Sequence, residues 1–282
     1  MAEAKAKGPR VRHLPFAAGT LRMGLSPIPE VEWLEFGDDF EVQMAAKRDL
    51  LAARREAVLR FAPSAEEASS EALEMIREAL RLHHPGRSDV TPEGSHPLEM
   101  AARLVQEDLC LLERSDDGYR LGAGCVCFPS NWSLAEKFGQ PVRAIHGPVP
   151  GFDPGLAAPV DRFFERLAAG HIVMRFNWLV HDTPELHQVD RVPDDAPIPV
   201  EHAGERLWLR VERQTLRRLP KNGAVLFTIR THVHPIGDAI TTPAAARGLA
   251  GALRDMAPTL WAYRRMDRIG PPLLAWLDAR SD

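Results

Sequence analysis

The sequence predicts an α+β fold in which a curved antiparallel sheet is flanked by helices. Three observations carry that prediction. Periodic segments run in the order helices, hairpin, small helices, long strands and terminal helices, without the strand–helix alternation of a parallel sheet. No GxGxxG opens a strand-to-helix turn. The run CLLER-SDDG-YRLGAGC reads as two strand-like segments around a tight turn. At 282 residues and 45% hydrophobic content the chain can bury a sizeable core. The expected organisation is an irregular lead-in over residues 1–39, followed by a single domain over 40–282 with N- and C-terminal helical extensions.

The lead-in is rich in Pro and Gly, and Phe16, Leu21, Met23, Leu25, Trp33, Leu34 and Phe36 can pack it across a domain surface. A helix is expected over 40–61, capped by Asp38 or Asp39, with Met44, Leu50, Leu51, Val58 and Leu59 on its apolar stripe. A second runs from Ser64 or Ala65 to about Leu82, its first turn acidic at Glu66 and Glu67. His83–His84 ends it; neighbouring helical side chains diverge, so helix-end solvation outweighs metal binding there. A third helix is expected over 97–109, ending in Gln106, Glu107 and Asp108; the acidic pair could bind a metal or position a base, but solvent-facing helix-end residues are the favoured reading. In the hairpin, Cys125 and Cys127 share one face; a CxC pair could ligate a metal, but no second close Cys or His pair accompanies it, and buried structural cysteines are the favoured reading. Gly122 and Gly124 on the opposite face leave room for a flat ligand or for another backbone.

Residues 132–138 read as a short helix ending at Gly139, and PVRAIHGPVPG as a constrained loop or a helical turn cut short by Pro148. A helix over 157–169, with Gly170 just past its end, leads into the strand HIVMRFNWLV. After a polar connection come the strands LWLRVERQTL and AVLFTIRTHVHP, with Asn222–Gly223 as a turn signal between them. Helices are expected over 243–256 and 261–267, with PPLLAWLDAR as a further short one.

A net charge of −4 argues against bulk nucleic-acid or anionic-membrane binding. Three cysteines, no apolar signal core and no run long enough to span a bilayer make a cytoplasmic protein the expectation. GxSxG, HExxH, P-loop and CxxC motifs are absent. His232 and His234 form an HxH on a strand that could share a metal, but no third ligand is apparent, so they read rather as surface or interface histidines. His146, held between Ile145 and the stiff GPVPG, suits an axial cofactor ligand or a hydrogen-bonded core histidine.

The runs LVQEDLCLLER, GAGCVCFPSNWSLAEKFG, AIHGPVPG, RFNWLV, RVERQTLRRLP and AVLFTIRT, in this order, resemble the haem-dependent oxidative N-demethylase alpha-subunit family. The resemblance implies a PAS-like α+β domain that binds haem b. It implies O2-dependent demethylation of a small secondary amine, with NADPH electrons arriving through separate flavin and iron–sulfur components. A folate-binding component would handle the one-carbon product. Carried onto this chain, His146 is the candidate haem-iron ligand. Asn177, Glu212, Arg213 and Gln214 are candidates for the distal pocket, and Arg175, Trp178 and Arg230 for cofactor binding. His232 stands where the family often has an aromatic residue. A haem-based gas or redox sensor and a non-catalytic interaction subunit are the competing readings.

Overall fold

In the computed structural model, residues 9–16, 24–152, 157–189 and 195–282 are described. Leu21 and Met23 of the lead-in fall outside them. The centre is a seven-stranded sheet in the order β1-β5-β6-β7-β3-β4-β2, every neighbouring pair antiparallel. Its strands are β1 (Ser26–Ile28), β2 (Leu59–Phe61), β3 (Asp108–Ser115), β4 (Gly118–Cys125), β5 (Ile172–His181), β6 (Trp208–Arg218) and β7 (Val225–Pro235). The principal helices are α1 (Phe40–Ala53), α2 (Glu66–His83), α3 (Pro97–Ala102), α4 (Leu134–Lys137), α5 (Val142–His146) and α6 (Ala157–Arg166). They continue with α7 (Pro243–Arg254), α8 (Pro258–Tyr263) and α9 (Met266–Asp278). None of the described helices is long and apolar enough to cross a membrane.

Local chemistry explains most of these boundaries. Pro97 and Pro243 open α3 and α7 at the first turn, where a missing N–H costs nothing. Thr242 caps α7 by accepting from the Ala245 N–H at 3.2 Å, and Ser133 caps α4 in the same way through Glu136. The β6–β7 turn closes at Gly223, whose φ of +86° is in the left-handed region. Eleven residue pairs, from Trp208↔Pro235 to Arg218↔Val225, then lock the register.

The period-two alternation gives the sheet two distinct faces. One is covered by the long helices. Leu109, Leu111, Ala123 and Leu226 pack there with Trp33, Leu51, Ile76 and Leu80, and Leu209 and Val211 pack with Leu249, Leu253, Leu273 and Leu277. The other face carries a smaller cluster of Cys110, Leu112, Leu121 and Leu216 against Leu134, Val142, Phe164 and Leu167. Short α4–α6 cover only part of that second face. Most of β5 is half-buried along its length.

Several sequence expectations change. The helix expected over 40–61 gives way to β2, because Leu59–Phe61 pairs with Ala123–Cys125 as an edge strand. The third helix stops at Ala102, and Asp108 already belongs to β3. Gln106, Glu107 and Asp108 are fully buried rather than solvent-facing. Asp108 accepts the backbone N–H groups of Cys127 and Phe128, each at 2.8 Å, and so ties off the end of β4. Gln106 and Glu107 receive the Gly37 and Glu35 N–H groups, binding the lead-in to the sheet. Buried Lys47 reaches the Val105 carbonyl at 3.0 Å and that of Glu107 at 2.6 Å. Gly122 is the extra residue where the β3–β4 register passes from Leu111↔Ala123 to Leu112↔Leu121. Side chains fill the room beside the two glycines: Glu113 lies over Gly122 and Leu134 over Gly124.

Candidate functional site

His146 is the last residue of α5, a helical turn opened after Pro141 and followed by Gly147–Pro148. Its Nδ1–H donates to the Val142 carbonyl at 2.9 Å. A carbonyl can only accept, so the proton sits on Nδ1 and the Nε2 lone pair is left over. No hydrogen bond to Nε2 is formed among the described residues. The ring stacks on Phe152 at 4.9 Å and 19°, which fixes its plane. Lys137 donates to the Ile145 carbonyl at 3.2 Å and ties α4 to α5. The His146 ring is exposed, yet the surrounding protein desolvates it and, with the charges of Arg175 and Lys137, lowers its pKa. This imidazole therefore stays neutral at pH 7.

β5 and β6 meet this corner of the fold through Val173 and Leu216, which pack in one cluster with Val142 and Ile145. Arg175 pairs in register with Gln214, and Asn177 with Glu212, so alternation brings all four to the same face. Glu212 is the hub. Its carboxylate accepts from Asn177 Nδ2 at 3.3 Å, Gln214 Nε2 at 3.1 Å and Arg210 Nε at 3.3 Å. Fully buried Arg210 is itself held by the Leu186 carbonyl at 3.0 Å and by the Phe128 carbonyl. It acts as a strut behind Glu212.

Arg175 contrasts with these. Burial pushes its pKa down while Glu212 pulls it up, and its buried Nε has no hydrogen-bond partner. A half-buried guanidinium with an unfilled donor is ready to donate to a carboxylate. Beyond β1, β5 is the edge of the sheet, and Arg264 bends over it from just past α8. Its guanidinium lies 5.3 Å from the Trp178 ring centre and 3.5 Å from Asn177 Oδ1. Arg264 sits in the polar run YRRMDR, and nothing in its spacing marks it out by sequence.

His146, Arg175, Asn177, Glu212 and Gln214 therefore share one face, whereas Arg213, Trp178 and Arg230 are on the other. Arg213 donates to the Trp33 carbonyl at 3.0 Å and to the Glu32 carbonyl. Arg230 is fully buried and pairs with Asp39 at 2.6 Å and Gln43 at 2.8 Å. Trp178 packs in the long-helix core against Phe16. These three hold the fold together, because a one-residue step along a strand reverses the face a side chain occupies.

His232 and His234 are likewise 4% and 2% exposed, not surface groups. His13 and Glu35, from the lead-in, meet His232 on the long-helix face. Burial, aided by the charge of Arg230, lowers the His232 pKa to about 2.

For an iron-bearing macrocycle with carboxylate arms, this face offers a matching donor set: a His146 Nε2 without a hydrogen bond, an Arg175 whose buried Nε is unpaired, and the polar Asn177, Glu212 and Gln214. Residues 84–274, more than half of the chain and spanning His146 to Arg264, match the family described as haem-dependent oxidative N-demethylase, alpha subunit-like, and the chain belongs to that family.

Proposed function

We propose that this chain is the haem-bearing catalytic subunit of an oxidative N-demethylase, acting on a small secondary amine with O2. The supporting observation is a His146 Nε2 without a hydrogen bond on the same sheet face as Arg175, whose charge reaches it and whose buried Nε is unpaired. His146 would hold the iron of haem b, and Arg175, with Arg264 beside it, the carboxylates. Haem, when bound, supplies the electron-transfer chemistry by which O2 oxidises the N-methyl group.

The other residues handle the amine. Glu212 accepts the amine N–H and takes its proton, since a carboxylate is the natural partner of a cationic nitrogen. Asn177 and Gln214 orient the carboxylate, and Arg210 keeps it from turning away. This reading includes a PAS-like domain and a cytoplasmic setting. NADPH electrons come from separate flavin and iron–sulfur components, and a folate-binding component takes the one-carbon product.

The test is an absorption spectrum of haem-reconstituted protein, followed by amine-dependent NADPH oxidation with a flavin/iron–sulfur reductase. A Soret band that His146→Ala weakens or shifts is expected. An unchanged spectrum in that variant would overturn the ligand assignment. Haem and gas binding without amine turnover would favour a sensor instead.

A further inference from the structure

Three ligand-type side chains from distant parts of the chain converge on the long-helix face, across the sheet from His146. His13 Nε2 lies 2.8 Å from Glu35 Oε2, and His232 Nε2 lies 3.5 Å from Glu35 Oε1. All three donor atoms fall within 4.8 Å of one another. Tetrahedral zinc, with bonds of about 2.0–2.1 Å, places its ligand atoms about 3.3 Å apart. Two of the contacts are already near that spacing.

His232 supplies the second observation. It is 4% exposed, and its Nε2, aimed at the carboxylate, has no hydrogen-bond partner. A buried imidazole nitrogen left without a partner is costly unless something fills the place. The next imidazole on the same face, His234, also has an unpartnered buried Nε2, with its ring 6.4 Å from that of His232. Two arginines approach Glu35, Arg12 and Arg213, each at 3.4 Å. Arg213 has the carbonyls of Glu32 and Trp33 as further acceptors, and Arg12 is 35% exposed and has solvent to turn into.

We propose that His13, Glu35 and His232 form a binding site for a first-row divalent metal, with zinc the best-fitting ion. Two imidazoles and one carboxylate are a zinc ligand set that leaves a fourth position to water. The metal would clasp the segment around His13 onto β7. His13 and Glu35 precede the matched residues 84–274, His232 lies within them, and the three meet on the sheet face opposite His146, apart from the haem reading.

The full-length protein, with and without haem, is stripped with chelator and dialysed against zinc, and bound zinc is measured by mass spectrometry. The parent is expected to retain one zinc per chain in both forms. His13→Ala and His232→Ala should each weaken binding at least about tenfold. His202→Ala, on an exposed turn, should bind as the parent does. His13 is partly exposed on the lead-in, so its variant keeps the test valid even where His232→Ala fails to fold. Zinc should also raise the Tm of the parent but not of His13→Ala. A parent that retains no zinc, or His13→Ala binding as tightly as the parent, overturns the site. Neither result touches the Soret band that tests His146.

Discussion

Asn177 and Glu212 face each other across the β5–β6 pair, and the Asn177 amide nitrogen donates to Glu212 Oε2 at 3.3 Å. That contact fixes the carboxylate on the same face as His146. Gln214 and Arg210 add two more hydrogen bonds, so Glu212 is positioned from three sides before any ligand arrives and keeps acceptor capacity on Oε1.

Glu212→Gln keeps the shape and removes the base. Amine-dependent turnover should fall by about 10²- to 10⁴-fold, the usual worth of a positioned acid–base group. The Soret band should be unchanged, because Glu212 does not hold the cofactor in this scheme. Turnover within twofold of the parent would exclude Glu212 from the chemistry.

Arg213→Ala should act in the opposite way. Its guanidinium is 5% exposed and binds two lead-in carbonyls and Glu35 from the far face. Breaking a buried, charge-assisted network costs about 3–5 kcal/mol. Urea denaturation should show that loss, while protein that remains folded keeps its amine turnover. A stable variant with lost turnover would place Arg213 in the site after all.

This contrast marks how far the sequence could be read. The alternation in RFNWLV and RVERQTL was legible, and it correctly put Arg210, Glu212 and Gln214 on one face. Motif membership alone then grouped Arg213 and Trp178 with them, although alternation sends both to the other side of the sheet. The hairpin was readable because SDDG carries its own turn chemistry. The helix expected through Leu59–Phe61 failed because an edge pairing with β4 overrode local propensity. His13 and Glu35 carried no signal, since their meeting with His232 depends on contacts across about two hundred residues of chain.

The three cysteines are all buried and unpaired. Burial pushes the Cys110 thiol well above its ordinary pKa, helped by the negative charge of Asp108. Cys127 is raised by its contact with Cys125 and by burial. Native protein should therefore release no chromophore from a disulfide thiol reagent, and denatured protein three equivalents. Rapid labelling of the native state would show that the end of β4 opens.

Gly124→Ala tests the packing of α4 on the sheet. A methyl group there would sit 2.8 Å from Leu134 Cδ1. Overpacking of this kind costs about 1–3 kcal/mol, and Leu134→Ala alone, which leaves a cavity, about 2–5 kcal/mol. The double variant should be less destabilised than the sum, with a coupling of about 0.5–3 kcal/mol in denaturant titrations. Strict additivity would mean that Leu134 turns aside freely.

Acid should destabilise the chelator-treated protein in two stages. His232 is held neutral in the fold down to about 2, by burial first and the Arg230 charge second. An unfolded histidine takes its proton near 6.5, so between those values the unfolded state binds more protons. Stability is therefore lost as pH falls below about 6.5. His234 is lowered as well and adds to the same slope. Glu35 also sits at about 2: burial raises it, but the His13 hydrogen bond and nearby positive charges outweigh that. Its unfolded carboxyl protonates near 4.5, which steepens the loss below that pH. Replacing His232 by Gln should remove one proton from the upper slope, about 1.36 kcal/mol per pH unit. Denaturant midpoints measured from pH 7 to 4 check this directly. A variant whose slope between pH 6 and 5 equals the parent's would mean that the folded protein lets His232 protonate.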